Sequence, residues 1–236
     1  MLRPYFRFWL AAFGLAALAP AQAKPIDSTY WHVAFPSFRI AGNLYYVGTA
    51  DLAVYLIATP KGNILINTDF PFDLSNIRAG IARLGFRYED TKILLISHGH
   101  MDHDAAAGEV QRETGAQLMV MAPDVAQVEE RQPRGAGAHV NRVLHDGDTV
   151  ELGGSALTAL LTPGHTPGCT TWTMTVHGRL RDLSIVIVGS ANVNPGTYLV
   201  KNRAYPRIAE DYVHTFAVLK GLHPDIFLGA HGAYFG

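Results

Sequence analysis

The chain has 236 residues, of which 48% are hydrophobic and 17% charged, and its formal net charge is −1. This composition excludes a collagen, a disordered chain and a polybasic nucleic-acid arm, and it favours a single globular domain. The 19 basic residues are balanced by 20 acidic ones, so the chain has no excess positive charge that would attract a polyanion. We therefore expect neither DNA nor RNA as a partner.

The first 23 residues have the features of an export signal. Arg3 and Arg7 precede an apolar run at 8–19, and Ala21-Gln22-Ala23 fits a small-x-small cleavage site. The run is shorter than the roughly 20 apolar residues that a membrane span requires. We therefore predict a cleaved signal peptide followed by one exported domain at 24–236, periplasmic and without membrane contact after cleavage.

The mature region opens with strand-like segments. Strands are predicted at 43–47, 52–58 and 63–67. Between the last two stands Thr59-Pro60-Lys61-Gly62, with Pro and Gly at the positions that a tight turn favours. These two strands are therefore predicted to form a β-hairpin.

A helix and a buried strand are predicted next. Asp73 stands where it could cap a helix whose apolar positions run at helical spacing from Leu74 to Leu84. Gly85 follows, at the place of a left-handed helix stop. The continuous apolar segment at 92–97 is typical of a strand that is covered on both faces.

The second half repeats this pattern of strands followed by a helix. Five strands are predicted, at 143–144, 149–152, 157–161, 170–176 and 184–188. A helix at 208–222 and a last strand at 225–229 follow. One side of that helix is predicted to carry Tyr212, Val213, Phe216 and Leu219. Two sheets with helices outside fit this order of elements best.

A dense group of metal-binding side chains follows the buried strand at 92–97. The segment Ser97-His98-Gly99-His100-Met101-Asp102-His103-Asp104 holds three imidazoles and a carboxylate within six residues. Imidazole nitrogen and carboxylate oxygen are both zinc ligands. Cys169 is the chain's single cysteine, which excludes both a thiolate cluster and an intrachain disulfide.

The number of ligands favours two metal ions over one. A catalytic zinc takes three protein ligands and keeps one position open, so four ligands are too many for one such site. Two further histidines stand in loop-like Gly- and Pro-containing segments: His165 in Thr162-Pro163-Gly164-His165 and His231 in Gly229-Ala230-His231-Gly232. With them the chain offers six ligands, enough for two ions.

These residues resemble the metallo-β-lactamase superfamily, whose His-x-His-x-Asp-His signature stands here at His98 to His103. The resemblance covers the mature chain from Asn43 to Gly232 and implies an α/β fold of the αββα sandwich type. It also implies two Zn²⁺ ions, the first held by His98, His100 and His165 and the second by Asp102, His103 and His231. That ligand pattern resembles subclass B3.

The resemblance implies hydrolysis of the β-lactam amide bond of antibiotics by a metal-bound hydroxide, and hence a small-molecule substrate and antibiotic resistance. Asp102 would orient the hydroxide besides binding metal. Ser190 and Asn192 would line the pocket and hydrogen-bond to the substrate carboxylate. Ser97 or Asn67 could fix imidazole tautomers from outside the ligand set.

Two alternatives remain open at the level of sequence. The first is another dizinc hydrolase, acting on lactones, thioesters or phosphodiesters, although such relatives usually carry a bridging Asp where this chain has Ser190. The second is a truncated, inactive metal-binding relative, because the chain stops at Gly236, five residues after His231, where family members continue into a closing helix. A missing helix would leave sheet surface exposed. No sequence feature indicates an oligomeric state.

Overall fold

The computed structural model describes residues 28–130 and 137–234, so the predicted signal peptide lies outside the described residues. The strands in this part of the chain are β1 (Phe38–Ala41), β2 (Leu44–Tyr46), β3 (Tyr55–Thr59), β4 (Gly62–Ile66), β5 (Thr91–Leu95), β6 (Gln117–Met121), β7 (Val140–Leu144), β8 (Thr149–Leu152), β9 (Ser155–Leu161), β10 (Thr170–His177), β11 (Asp182–Val188) and β12 (Ile226–Gly229). The α-helices are α1 (Leu74–Arg83), α2 (Met101–Asp104), α3 (Ala107–Thr114), α4 (Val125–Glu130) and α5 (Ile208–Gly221).

The strands form two sheets that pack face to face. The first sheet has seven strands in the order β1 to β7, antiparallel from β1 to β4 and parallel from β4 to β7. The second has five, in the order β12-β11-β10-β9-β8. The predicted αββα sandwich is confirmed. Among the described residues, no helix is long and apolar enough to cross a membrane.

The predicted central strand lies where its continuous apolar sequence requires. In β5, Ile93 and Leu95 join the core between the sheets, whereas Leu94 and the following Ile96 join a second core beneath the helices. Strand side chains alternate between faces, so a strand covered on both sides needs apolar residues at successive positions. The hairpin of β3 and β4 is confirmed as well.

Helix α1 forms as predicted except at its first residue. Leu74, Ile77 and Ile81 are fully buried against the first sheet, and Gly85 adopts the left-handed conformation, with φ of 86°. The prediction that Asp73 caps the helix is wrong. Asp73 already has helical dihedrals, so its side chain cannot turn back to the helix N–H groups. Its carboxylate instead lies 3.0 Å from His32 Nδ1.

The apolar side predicted for α5 is only partly the side that packs, because Tyr212 is buried but Val213 and Phe216 are not. The helix buries Ile208, Tyr212 and Thr215, whereas Val213 and Phe216 are 69% and 47% exposed. The reason is that α5 rests on loops and not on a flat apolar sheet. The hydroxyls of Tyr212 and Thr215 donate hydrogen bonds to backbone carbonyls of those loops. Helical periodicity in sequence does not distinguish these two kinds of neighbour.

Strand β6 and helix α4 were not predicted from the sequence. Because β6 adds a parallel strand beside β5, the first sheet extends past the middle of the chain and includes β7. The inner strands β3 to β6 of this sheet are mostly buried on both faces. The sheets together position three loops at one end of the sandwich, which follow β5, β9 and β12.

Candidate metal centre

The three loops bring all six predicted ligands together. The loop after β5 and the short helix α2 carry His98, His100, Asp102 and His103. The loop after β9 carries His165, and the loop after β12 carries His231. His98 and His103 are essentially inaccessible to solvent, and the other four side chains are partly exposed. Their role as ligands stays a prediction, but their placement allows it.

Three histidines form one set of donor atoms, which we call the three-histidine group: His98, His100 and His165. Their nearest ring nitrogens all lie within 4.8 Å of one another. His100 Nδ1 and His165 Nε2 are 3.1 Å apart. Ligands of a tetrahedral zinc at about 2.0–2.1 Å from the metal stand about 3.3 Å from each other, so this spacing suits a shared ion.

Asp102, His103 and His231 form a second set, the aspartate group. His103 Nε2 lies 3.2 Å from His231 Nε2, and Asp102 Oδ2 lies 3.3 Å and 3.4 Å from these two nitrogens. The donors thus form a nearly equilateral triangle, the arrangement of one face of a tetrahedral site. His98 is also within 4.8 Å of Asp102 and His103, so it stands between the two groups.

Buried nitrogens without partners support this interpretation. Within the described residues, both ring nitrogens of His98 and Nδ1 of His103 are inaccessible to solvent and make no hydrogen bond. An unsatisfied buried polar atom costs about 1–3 kcal/mol. A cation bound to one ring nitrogen of His98 would satisfy its lone pair, whereas Nδ1 of His103 would carry the proton when Nε2 binds metal. The residues present therefore fit a metal ion with a preference for nitrogen and oxygen ligands.

The protonation of the donors differs between the groups. Burial lowers the pKa of His98 well below its usual range and that of His103 to about 3, so both are neutral and able to donate lone pairs. Burial also opposes the charge on His231, but hydrogen bonds with Asp102 and Asp51 raise its pKa to about 9. A metal at the aspartate group must therefore displace a proton from His231.

Asp51 holds His231 from behind and was missed in the sequence. Its Oδ2 lies 2.9 Å from His231 Nδ1, and its Oδ1 accepts a hydrogen bond from Ala233 N at 2.9 Å. A carboxylate on the far nitrogen fixes the tautomer and orientation of a ligating imidazole. The 180 residues between Asp51 and His231 leave no local signal for this pair.

Ser97 and Asn67 contact each other and not the buried rings. Asn67 Oδ1 accepts hydrogen bonds from Ser97 N at 2.9 Å and from Ser97 Oγ at 2.8 Å. Neither side chain bonds to His98 or His103, so the expected control of their tautomers is wrong. The pair instead ties the end of β4 to the start of the ligand loop.

The two predicted substrate contacts surround a tyrosine that sequence reasoning missed. Ser190 is 1% exposed, and its Oγ lies 3.0 Å from Tyr234 OH. Asn192 Nδ2 donates to the same hydroxyl at 3.1 Å, and the carbonyl of Asn192 lies 2.8 Å from His165 Nδ1. The Tyr234 ring centroid is 5.4 Å from that of His231. Contact of Ser190 and Asn192 with a substrate carboxylate stays a prediction.

Aromatic rings line the side of the centre next to His231. The Trp31 ring lies 5.9 Å from the His231 ring and stacks on Phe70 at 6.5 Å. Phe70 in turn stacks on Phe72 at 5.4 Å.

Cys169 is fully buried, and burial raises the pKa of its thiol well above the usual range. It is therefore suited neither to metal binding nor to nucleophilic attack.

Known proteins resemble this chain along most of its length. The family model described as "Metallo-beta-lactamase superfamily" matches residues 52–231. The native FEZ-1 metallo-β-lactamase from Legionella gormanii is 51% identical, with a TM-score of 0.82, over 86% of this chain and 82% of that one. The class B3 di-zinc metallo-β-lactamase LRA-12, from an Alaskan soil metagenome, is 35% identical, with a TM-score of 0.83, over 91% and 85%.

Curated relatives align over shorter stretches. A hydroxyacylglutathione hydrolase of Acidiphilium cryptum is 37% identical over 79 residues, which are 34% of this chain and 29% of that protein. The chain thus spans about a third of the length of the curated relatives that it matches first. The comparisons together confirm the predicted resemblance to the superfamily and to its subclass B3.

Proposed function

The chain belongs to the metallo-β-lactamase superfamily, and from this membership we propose that it is a zinc β-lactamase. Such an enzyme hydrolyses the amide bond of β-lactam antibiotics and confers resistance to them. The observation that carries the proposal is the pair of neighbouring donor groups, each with three donors, at the end of the sandwich. Two zinc ions are the proposed cofactors, one in each group.

Zinc bound here supplies Lewis acidity and lowers the pKa of a water molecule from about 15.7 toward about 7. The chain's own residues hold and orient the reactants. Because the three-histidine group would hold its ion with imidazoles alone, the ion would keep its positive charge, which would suit a developing oxyanion. Asp102 faces both groups and is the residue that we assign to orienting the attacking water. Asp51 keeps His231 aligned through its far nitrogen.

Substrate binding is assigned to the hydroxyls and the amide beside the centre. The Tyr234 hydroxyl lies 3.0 Å from Ser190 Oγ and 3.1 Å from Asn192 Nδ2, and Ser190 Oγ also accepts a hydrogen bond from the backbone N–H of Asn192 at 3.2 Å. All three can donate to a carboxylate. A substrate that inserts its carboxylate here exchanges their mutual hydrogen bonds for charge-assisted ones, which are about twice as strong. A bicyclic β-lactam carries such a carboxylate next to its scissile ring.

Ser190 distinguishes this proposal from thioester hydrolysis. It stands just after β11, where superfamily hydrolases of thioesters, lactones and phosphodiesters usually carry a metal-bridging Asp. A serine cannot bridge two cations as a carboxylate does. The partial likeness to a hydroxyacylglutathione hydrolase is therefore weaker support for that activity than the B3 likeness is for β-lactam hydrolysis.

The test is a substrate panel with the zinc-loaded protein. We expect hydrolysis of at least one penicillin, cephalosporin or carbapenem, loss of that activity with a chelator, and recovery with Zn²⁺. A glutathione thioester, a lactone and a phosphodiester serve as the competing substrates. If the protein binds two zinc ions and cleaves one of these but no β-lactam, the proposal is wrong.

A matched pair of variants keeps this test specific. His231→Ala removes one donor of the aspartate group and is expected to abolish most activity. His177→Ala removes a ring that is 94% exposed and paired with Asp182 at the turn between β10 and β11, so it should leave the activity unchanged. Equal loss in both variants would contradict the assignment of activity to the metal centre.

We also propose that the protein is exported to the periplasm. The support is the sequence at 1–23, with two arginines, an apolar run and a small-x-small site. Mass spectrometry of the protein recovered from a periplasmic fraction should find Lys24 as the first residue. Recovery of the chain only with residues 1–23 attached, in the cytoplasm or membrane fraction, would contradict export.

A further inference from the structure

One buried carboxylate joins the two loops that carry the three-histidine group. Asp124 lies at the end of the short 3-10 turn between β6 and α4, and its side chain is fully buried. Its Oδ2 accepts hydrogen bonds from Gly99 N at 2.8 Å and from Thr166 Oγ1 at 2.6 Å. Its Oδ1 accepts one from Gly168 N at 2.7 Å.

These three donors flank the histidines of the group on both loops. Gly99 stands between His98 and His100, and Thr166 directly follows His165. The same carboxylate therefore fixes the backbone between the first two rings and the turn that presents the third. The carboxylate is absent from the sets of donor atoms that come within metal-binding distance of each other, so it acts from behind the ligands.

The loop after β9 is built to approach this carboxylate closely. A Cβ atom added at Gly168 would lie 2.7 Å from both Cγ and the backbone nitrogen of Asp124, nearer than real Cβ contacts allow. Only glycine leaves room for this approach. The glycine that follows His165 by three residues is thus explained by Asp124 and not by turn geometry alone.

We propose that Asp124 is a positioning residue that sets the geometry of the three-histidine group and makes its metal affinity higher than that of unrestrained loops. An ionised carboxylate is needed because all three neighbours are donors. In Asp124→Asn, an amide N–H would face a backbone N–H, so at least one loop would detach. Loss of such an outer partner typically costs about 10–100-fold in metal affinity.

The inference rests on the proposed function only in requiring metal at these histidines, and its test uses no β-lactam. Metal-free protein is titrated with Co²⁺ while its visible absorption spectrum is recorded, and with Zn²⁺ against a chelating dye. His165→Ala and His231→Ala give the reference spectra for loss at one group or the other. If the protein hydrolyses no β-lactam, the proposed function is wrong, but the Co²⁺ and Zn²⁺ titrations still test the role of Asp124.

For Asp124→Asn we expect one metal equivalent to bind about 10–100-fold more weakly, with the spectral change of His165→Ala, while the other equivalent is unchanged. Asp73→Asn is the matched control, because Asp73 is a buried aspartate bonded to His32 and to no ligand loop. It should bind both equivalents like the unchanged chain. Unchanged binding in Asp124→Asn, or equal weakening of both equivalents, would overturn the proposal.

Thr166→Val keeps the test decisive if Asp124→Asn does not fold. Valine retains the shape of threonine but removes one of the three donors. Thermal unfolding of the metal-free forms reports whether each variant is folded. We expect Thr166→Val to weaken the same equivalent by a smaller factor and to shift the same Co²⁺ bands. A spectrum and affinities identical to those of the unchanged chain would again overturn the proposal.

Discussion

The two donor groups share the loop after β5 and lie side by side, yet the protein supports them in different ways. The three-histidine group contains only imidazoles, and Asp124 holds its loops through backbone N–H groups and a hydroxyl. The aspartate group contains a chain of charges from Asp102 through His231 to Asp51. One group is thus fixed by the shape of its backbone, and the other by direct contacts between ionisable side chains.

This difference predicts which substitutions act on which metal. Changes to loop hydrogen bonds should weaken the three-histidine group, whereas changes of charge should weaken the aspartate group. Four predictions, ordered from the largest expected effect to the smallest, test this comparison and the surroundings of the two groups.

Removal of a ligand should have the largest effect. We expect His165→Ala and His231→Ala each to bind one zinc instead of two and to lose more than about 100-fold in hydrolytic activity, beyond the loss that an outer partner causes. Zinc per chain, measured by elemental analysis after dialysis, checks the first expectation. If either variant retained both ions, the division into two groups would be wrong.

Asp51→Asn should act on the aspartate group alone. An amide oxygen cannot serve both His231 Nδ1 and Ala233 N as the carboxylate does, so we expect the affinity of one zinc to fall by about 10-fold. In metal-free protein the pKa of His231, about 9 in the unchanged chain, should fall because an anion that favours the imidazolium is gone. An NMR titration of the histidines measures this shift.

The control for Asp51→Asn is Asp182→Asn, which removes the carboxylate beside the exposed His177. It should change neither zinc affinity nor the titration of His231. A loss of affinity for both ions in Asp51→Asn would mean that the groups do not respond independently.

Tyr234→Phe should have a smaller effect and leave both metals in place. It removes the hydroxyl that bonds to Ser190 and Asn192. A hydrogen bond contributes about 1 kcal/mol, so we expect a rise in KM of about fivefold with little change in kcat. Steady-state kinetics with the best β-lactam substrate gives both constants. A large fall in kcat with unchanged KM would contradict a binding role for this hydroxyl.

Thr215→Val should have the smallest effect, confined to the three-histidine group. Its hydroxyl donates to Pro163 O in the loop that carries His165. Loss of this buried bond should lower the free energy of unfolding by about 1 kcal/mol. Val213→Thr on the exposed side of α5 is the matched control and should change it by less than about 0.5 kcal/mol. Thermal denaturation of both variants compares the two sides of the helix.

Local sequence was sufficient wherever the physical cause is local. The alternation of faces in β5, the turn at 59–62 and the dense ligand segment at 98–103 can each be read within a window of a few residues. One histidine beside glycine is not distinctive by itself, so His165 and His231 were added only because the dense segment holds too many ligands for one ion. The family resemblance then assigned each of them to one of two ions. The resemblance, together with the order of strands and helices, implied the αββα sandwich, and its ligand sets implied two neighbouring donor groups.

The supporting residues could not be predicted because their contacts join distant parts of the chain. Asp51 meets His231 across 180 residues, Tyr234 meets Ser190 across 44, and Asp124 meets Gly168 across 44. Each is an ordinary polar residue in its own segment and becomes informative only when the sheets bring the loops together. The error on α5 has the same origin, since its partner is a folded loop whose polar backbone selects Thr215 over Phe216.

Each donor group takes residues from both sheets, since the loop after β5 belongs to the first and the loops after β9 and β12 belong to the second. An ion bound to either group would therefore link the two sheets. Binding to the native state alone adds about 2.7 kcal/mol of stability when free metal stands at 100 times the dissociation constant. The thermal stability of this protein should consequently depend on the concentration of free zinc around it. Scarcity of zinc would then shorten the lifetime of the folded protein as well as remove its activity.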